Sequence, residues 1–203
     1  MMYATYFGER ITASKGLIAT CPLCKSKVIA KCGMIKVWHW AHESIKDCDD
    51  WYESETLWHR NWKNIFPTES REVIIENHRA DIFYNGWIIE LQNSTISPED
   101  IIERERFYTS IANVKGMIWI INGKEFTNNF DLRHKEQNCY TFRWKHPRQS
   151  WFKSTQKIYF DNFFEDRHQE LFFLKKLYPN TPCGGYGFKV SKKSLLNYIK
   201  SSR

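Results

Sequence analysis

The pair Asn85-Gly86, set between two apolar-rich runs, constrains this chain more than any other feature. Asn-Gly flanked by alternating hydrophobic residues signals a two-residue type I′ hairpin turn, and such a turn fixes the register by counting. Across His78-Arg-Ala-Asp-Ile-Phe-Tyr and Trp87-Ile-Ile-Glu-Leu-Gln, Tyr84 is expected opposite Trp87, Ile82 opposite Ile89, and Asp81 opposite Glu90. Period-two alternation puts Ala80, Ile82, Tyr84, Trp87, Ile89 and Leu91 on one face. Arg79, Asp81, Phe83, Ile88, Glu90 and Gln92 take the other. Two carboxylates directly opposite destabilise a sheet unless positive charge lies between them. A hard divalent cation meets that need, and so does Arg79 on the same face.

The segments around the hairpin complete an element order. Residues 52–66 have helical period, closed by Pro67. Their apolar stripe is Trp51, Trp58, Trp62 and Phe66, with Glu55 inside it and His59 and Lys63 along its border at successive four-residue steps. A carboxylate aimed at a core needs a metal or a cationic partner. Residues 72–76 read as a strand. Ser97-Pro98-Glu99-Asp100 is a helix start, with a hydroxyl cap and early proline, and the helix is expected to run to about Ala112. Gly116–Ile121 is an apolar run suited to a strand covered on both faces. From 52 to 121 the order is therefore helix, three strands, helix, strand.

Upstream, residues 1–50 read as short strands broken by Gly8, Gly16 and Gly33. Here Cys21-Pro-Leu-Cys24 precedes His39-Trp-Ala-His42. Two such pairs suit a closed, structural tetrahedral zinc site made by Cys21, Cys24, His39 and His42. Cys48 is a fifth candidate, able to replace either histidine. Cys-Pro-x-Cys also occurs as a dithiol redox motif, but a strand-like stretch follows it, not a helix.

With 42% hydrophobic and 26% charged residues in 203, the chain can bury a core and is not a disordered tail. No run is long and apolar enough for a membrane span. The first residues lack the pattern of a signal peptide, so a cytoplasmic protein with no membrane partner is expected. After residue 130 there are 15 Lys and Arg against 6 Asp and Glu. That basic segment carries Trp144, Trp151, Phe152, Phe163 and Phe164, which suits either a strand-tracking nucleic-acid surface or an ordinary core. Within it, residues 165–178 and 191–201 read as helices, and 140–144 and 157–160 as strands.

These motifs together resemble the competence protein CoiA family over roughly residues 18–121. The resemblance rests on the Cys-Pro-x-Cys pair, His39-Trp-Ala-His42, Ser44-Ile-Lys-Asp-Cys48, Glu55 with His59 and Lys63, and Arg79-Ala-Asp81. It continues through Glu90-Leu-Gln92-Asn-Ser94, Glu103-Arg104 and Tyr108. It implies an α+β fold with a zinc-ribbon-like lobe over 1–50, a restriction-endonuclease-like PD-(D/E)XK core over 51–125, and a basic extension over 126–203. It further implies DNA phosphodiester hydrolysis in DNA uptake, recombination or defence against foreign DNA, with recombination or defence proteins as partners. Asp81 and Glu90 would hold catalytic magnesium or manganese, and Glu55, His59 and Gln92 would complete the catalytic set. Gln92 stands where the wider superfamily usually has lysine, so in this reading either Lys63 or His59 supplies the cation or the metal acts alone. Arg104 and Tyr108 face the site in this reading, or else are a solvated arginine and a packed tyrosine. Two further readings stay open: a DNA-binding module on an inactive nuclease fold, and a redox protein using Cys21 and Cys24.

Overall fold

A computed structural model describes residues 1–43, 48–51, 53–125, 129–144, 149–164, 169–178 and 181–201. Residues 44–47, part of the Ser44–Cys48 motif, lie outside the described residues. The chain divides into two compact units, Met1–Phe83 and Tyr84–Arg203.

The first unit opens with five short strands: β1 (Tyr3–Tyr6), β2 (Glu9–Thr12), β3 (Ile18–Thr20), β4 (Lys27–Lys31) and β5 (His39–His42). They form an antiparallel sheet in the order β2-β1-β3-β4-β5. Phe7 and Gly8 both take positive φ in the turn between β1 and β2, which lets Tyr6 pair with Glu9. Alternation sends Ala4, Ala19, Val28 and Trp40 inward to one small core with Cys21.

Helix α1 (Leu57–Lys63) follows, then a single 3-10 turn, β6 (Arg71–Ile75) and β7 (His78–Tyr84). The helix is shorter than the periodicity of 52–66 predicts. Thr56 caps it: its hydroxyl accepts from the backbone N–H of His59, and the His59 ring accepts from the Thr56 N–H. This reciprocal box satisfies two orphan groups at the first turn and stops the helix there. Glu55 therefore precedes the helix instead of sitting on its stripe, and Trp51 is buried outside it. Strands β6 and β7 pair antiparallel around Glu76 and Asn77, with Ile75 opposite His78 and Val73 opposite Ala80.

In the second unit, Asn85 and Gly86 both have positive φ, at 51° and 80°, the type I′ signature that the sequence predicts. Then come β8 (Trp87–Gln92), α2 (Pro98–Ser110), β9 (Gly116–Asn122), β10 (Phe130–His134), β11 (Cys139–Trp144), β12 (Lys157–Asp161), β13 (Glu170–Tyr178), β14 (Thr181–Ser191) and α3 (Lys192–Ser201). The strands run β10-β11-β14-β13-β12-β9-β8, with β9 parallel to both β8 and β12. Ser97 caps α2, accepting from the Asp100 N–H at 3.0 Å, with Pro98 in the first turn. Strand β9 is buried from Met117 to Ile121, as a parallel strand covered on both faces should be.

The C-terminal segment departs from its reading at one point. Residues 165–178 read as helical, yet the described part, Glu170–Tyr178, is strand β13. It pairs with β12 on one side and β14 on the other, and buries Leu171 and Phe172. Leu-Phe-Phe-Leu carries no clear period, and two flanking strands decide the outcome. The glycine-rich β14 makes room: a Cβ on Gly187 would lie 2.5 Å from the Phe172 ring. Of the two readings of its aromatics, the core is the one that holds for Trp144, Trp151 and Phe163, which pack with Phe130, Phe142, Phe160 and Phe172 or against Trp119. They do not form stacking platforms for nucleic acid. No helix among the described residues is long and apolar enough to cross a membrane.

Candidate active site and metal centre

In the first unit, donor atoms of Cys21, Cys24, His42 and Cys48 all lie within 4.8 Å of one another. Cys21 leaves the end of β3, and the Cys21–Lys25 knuckle is closed by the Lys25 N–H to the Cys21 carbonyl at 3.1 Å. Lys25 takes positive φ to do so. His42 ends β5. The Cys21 and Cys48 sulfurs are 3.8 Å apart, and Cys24 Sγ is 3.3 Å from His42 Nε2. With Zn–S near 2.3 Å, a tetrahedral site has S–S edges of about 3.8 Å, so the cluster has the size such an ion demands. Protonation within it is uneven. Burial works upward on the Cys24 thiol, but hydrogen bonds from Ser26 outweigh it and bring it to about 6. Burial, reinforced by Cys21, pushes Cys48 up to about 12. Thiols this close do not all ionise without a cation among them. Three cysteines and a histidine thus suit a metal such as zinc.

His39, predicted as a ligand, is not in the cluster. In β5 alternate side chains leave opposite faces, so residues 39 and 42 diverge, and His39 Nδ1 donates to the Val37 carbonyl at 2.8 Å. Cys48 takes the fourth position.

The second feature of this unit is a buried lysine among carboxylates. Lys63, in the last turn of α1, lies 2.9 Å from Glu55 Oε2, 3.0 Å from Glu72 Oε1 and 3.0 Å from Asp81 Oδ1. The β6–β7 register, with Val73 opposite Ala80 and Arg71 opposite Ile82, puts Glu72 across from Asp81. This is the opposed carboxylate pair that needs positive charge between its members, and Lys63 provides it. Burial would lower the Lys63 pKa, but Asp81, Glu72 and Glu55 raise it well above its ordinary range. Burial likewise works upward on Glu72, but Lys63 and Arg79 hold its carboxyl far below the usual range. Glu72 also accepts from the backbone N–H groups of Met2 and Tyr3.

Only one member of this cluster opens outward. The side chains of Lys63, Glu55 and Glu72 are each 3% exposed, and that of Asp81 is 23% exposed. Glu55 Oε1 is buried without a hydrogen-bond partner. An oxygen left in that state favours a bound cation or an ordered water. Sequence reasoning missed Glu72, although a two-residue turn at Glu76-Asn77 would have counted it opposite Asp81. His59 has other partners: its ring caps α1 through Thr56, and Nε2 lies 3.0 Å from Glu53. Arg79 does not join the Lys63 ion pairs by direct contact; its backbone N–H goes to Asp49 and its guanidinium to the Met1 sulfur.

The second unit holds Glu90 and Gln92 on β8, both buried. Arg104, on the buried face of α2, brings Nη1 to 3.6 Å from Glu90 Oε2. Tyr108, one turn on, is fully buried, so it is a packed tyrosine. The Gln92 amide donates toward the Ser94 carbonyl and hydroxyl at 3.3 and 3.4 Å.

No curated protein and no solved structure matches the chain. Two family descriptions do. Residues 18–50, which carry all four thiol and imidazole donors, match the N-terminal domain of competence protein CoiA. Residues 67–195, from β6 into α3, match its nuclease-like domain. That second match alone spans well over half of the sequence, and the chain therefore belongs to the competence protein CoiA family, with the family's nuclease-like domain as its larger part.

Proposed function

We propose that this protein is a metal-dependent nuclease that hydrolyses DNA phosphodiester bonds on a PD-(D/E)XK-type core, in DNA uptake, recombination or defence against foreign DNA. The observation that carries the reading is the Lys63 cluster. It presents one partly exposed carboxylate, Asp81, and keeps a buried carboxylate oxygen of Glu55 without a donor. A merely structural ion-pair cluster gains nothing from an unsatisfied buried oxygen.

In this reading Asp81 and Glu90 hold magnesium or manganese, at positions that the Asn85-Gly86 register counts as opposite. The ion supplies Lewis-acid charge to the scissile phosphate and a more acidic water. The chain's own groups do the rest. Lys63 pins Asp81 through Oδ1, and its ammonium takes the part of the lysine that Gln92 replaces. Glu55 Oε1 accepts a proton or hydrogen bond from the attacking water. Gln92 orients that water but cannot donate a proton as an acid at neutral pH. Arg104 offsets the Glu90 charge. In the lobe, zinc on Cys21, Cys24, His42 and Cys48 is structural, since four protein donors leave no open position.

A second reading, a DNA-binding module without turnover, draws support from Gln92 and from the engagement of Glu90 by Arg104. The two part on one experiment. Wild type and Glu90→Ala are compared on labelled single- and double-stranded DNA with magnesium, manganese or neither, zinc content being checked throughout. Cleavage that requires both the added metal and Glu90 is the expected result. Tight binding without cleavage in every metal would support the module instead.

A further inference from the structure

The outer face of the N-terminal lobe has a composition that neither zinc binding nor hydrolysis explains. Of the six Lys and Arg in residues 1–43, Lys31 and Lys36 line this face, while Arg10, Lys25 and Lys27 are engaged with Thr68 and Arg71, with Pro22 and with Glu43. On the outward side of the sheet, Ile18, Ile29 and Ala41 form one cross-strand row, and Lys31 and His39 form the next. The loop from Cys32 to Trp38 stands beside this face, and Met34 and Ile35 are completely exposed on it. Between loop and sheet runs an open cleft of about 610 Å³, lined by Lys31, Met34, Ile35, Lys36, His39 and Ala41. The loop is shaped, not slack: Arg60 donates to the Trp38 carbonyl, and His39 to that of Val37. This leaves the Trp38 ring half-exposed at the loop's base.

Apolar groups this exposed mark a contact surface, and the charge says what kind of partner approaches. An apolar floor between lysines fits a polyanion that also shows apolar faces. Duplex DNA presents sugar and phosphate outward, whereas a single strand offers unstacked bases between its phosphates. Thymine adds a methyl group to match Met34, Ile35 and Ala41. We propose that this face of the lobe docks single-stranded DNA, with Lys31 and Lys36 on its phosphates, Trp38 stacked on a base, and the Met34–Ile35 tip against thymine methyls. Docking requires neither magnesium nor turnover, so the proposal stands or falls apart from the nuclease reading.

The test is fluorescence anisotropy of the full, zinc-loaded chain with labelled oligothymidylate in magnesium-free buffer, titrated at several salt concentrations. Lys31→Gln combined with Lys36→Gln is expected to make the slope of log affinity against log salt shallower by about 1.4, at roughly 0.7 per phosphate contact on a single strand. Trp38→Ala is expected to weaken binding about fivefold or more and leave that slope unchanged. All three positions are exposed, and unchanged zinc content and circular dichroism confirm an intact lobe. The proposal is overturned if wild type does not bind, or if the variants bind like wild type. It is equally overturned if oligouridylate or a duplex of the same length binds as tightly, or if the variants lose only affinity for anionic phospholipid vesicles.

Discussion

Lys63 gathers three carboxylates around one ammonium in a place that water barely reaches. Removing one partner of such a cluster leaves uncompensated buried charge. Lys63→Met is expected to lose about 3 to 5 kcal/mol of unfolding free energy, read from urea denaturation. The cluster also sets a pH window. Glu72 has a depressed pKa, so its contribution is complete above its ordinary 4.5 and is lost as pH falls toward the folded value. The raised pKa of Lys63 makes its contribution complete below 10.5 and lost as pH climbs beyond it. Stability against pH should show an acid limb below about 4.5 that flattens in Glu72→Gln; an unchanged limb would remove Glu72 from this account. In the thiol cluster, Cys48→Ser should lower bound zinc, whereas His39→Ala should retain one equivalent by atomic absorption. The opposite pattern would restore His39 as the ligand.

At the level of elements, local chemistry that acts within one turn was readable from sequence alone. The Asn85-Gly86 turn and the Ser97-Pro98 helix start depend on neighbours a few residues away, and both stand where the residues predict. The start of α1 was not readable in the same way. Hydrophobic period runs through Trp51, but the Thr56–His59 capping box outweighs it, and period alone cannot see a cap. Likewise β13 owes its form to β12 and β14, partners before and after it in the chain. The ligand set follows the same division: two cysteines on one knuckle were legible, but choosing between His39 and Cys48 required knowing that residues 39–42 are extended. Gly187 tests the β13 assignment. Gly187→Ala should destabilise the protein by about 1 to 3 kcal/mol in denaturant titration, because the new methyl group meets Phe172 and the Phe173 carbonyl. Were residues 165–178 helical instead, Phe172 and Phe173 would not flank Gly187 in this way and the change would be close to neutral.

Across the whole molecule, the distribution of charge was visible in advance, but its setting was not. The basic C-terminal segment buries Trp144, Trp151, Phe160, Phe163 and Phe172, while Lys135, Lys153, Lys175, Lys193 and Lys200 stay exposed. What binds that segment to the rest of its unit is Glu105. Its carboxylate accepts the Trp119 indole N–H at 2.9 Å and the Thr155 backbone N–H and hydroxyl at 2.8 and 2.9 Å. Strand β12 then covers the far side of β9. For anyone preparing shorter versions of this protein, the consequence is practical. A chain ended near residue 125 would strip Glu105 of the Thr155 donors and bare the backbone of Gly116–Asn122, whose central five side chains are all apolar and buried. Such a fragment would associate edge to edge and come out of the cell as inclusion bodies.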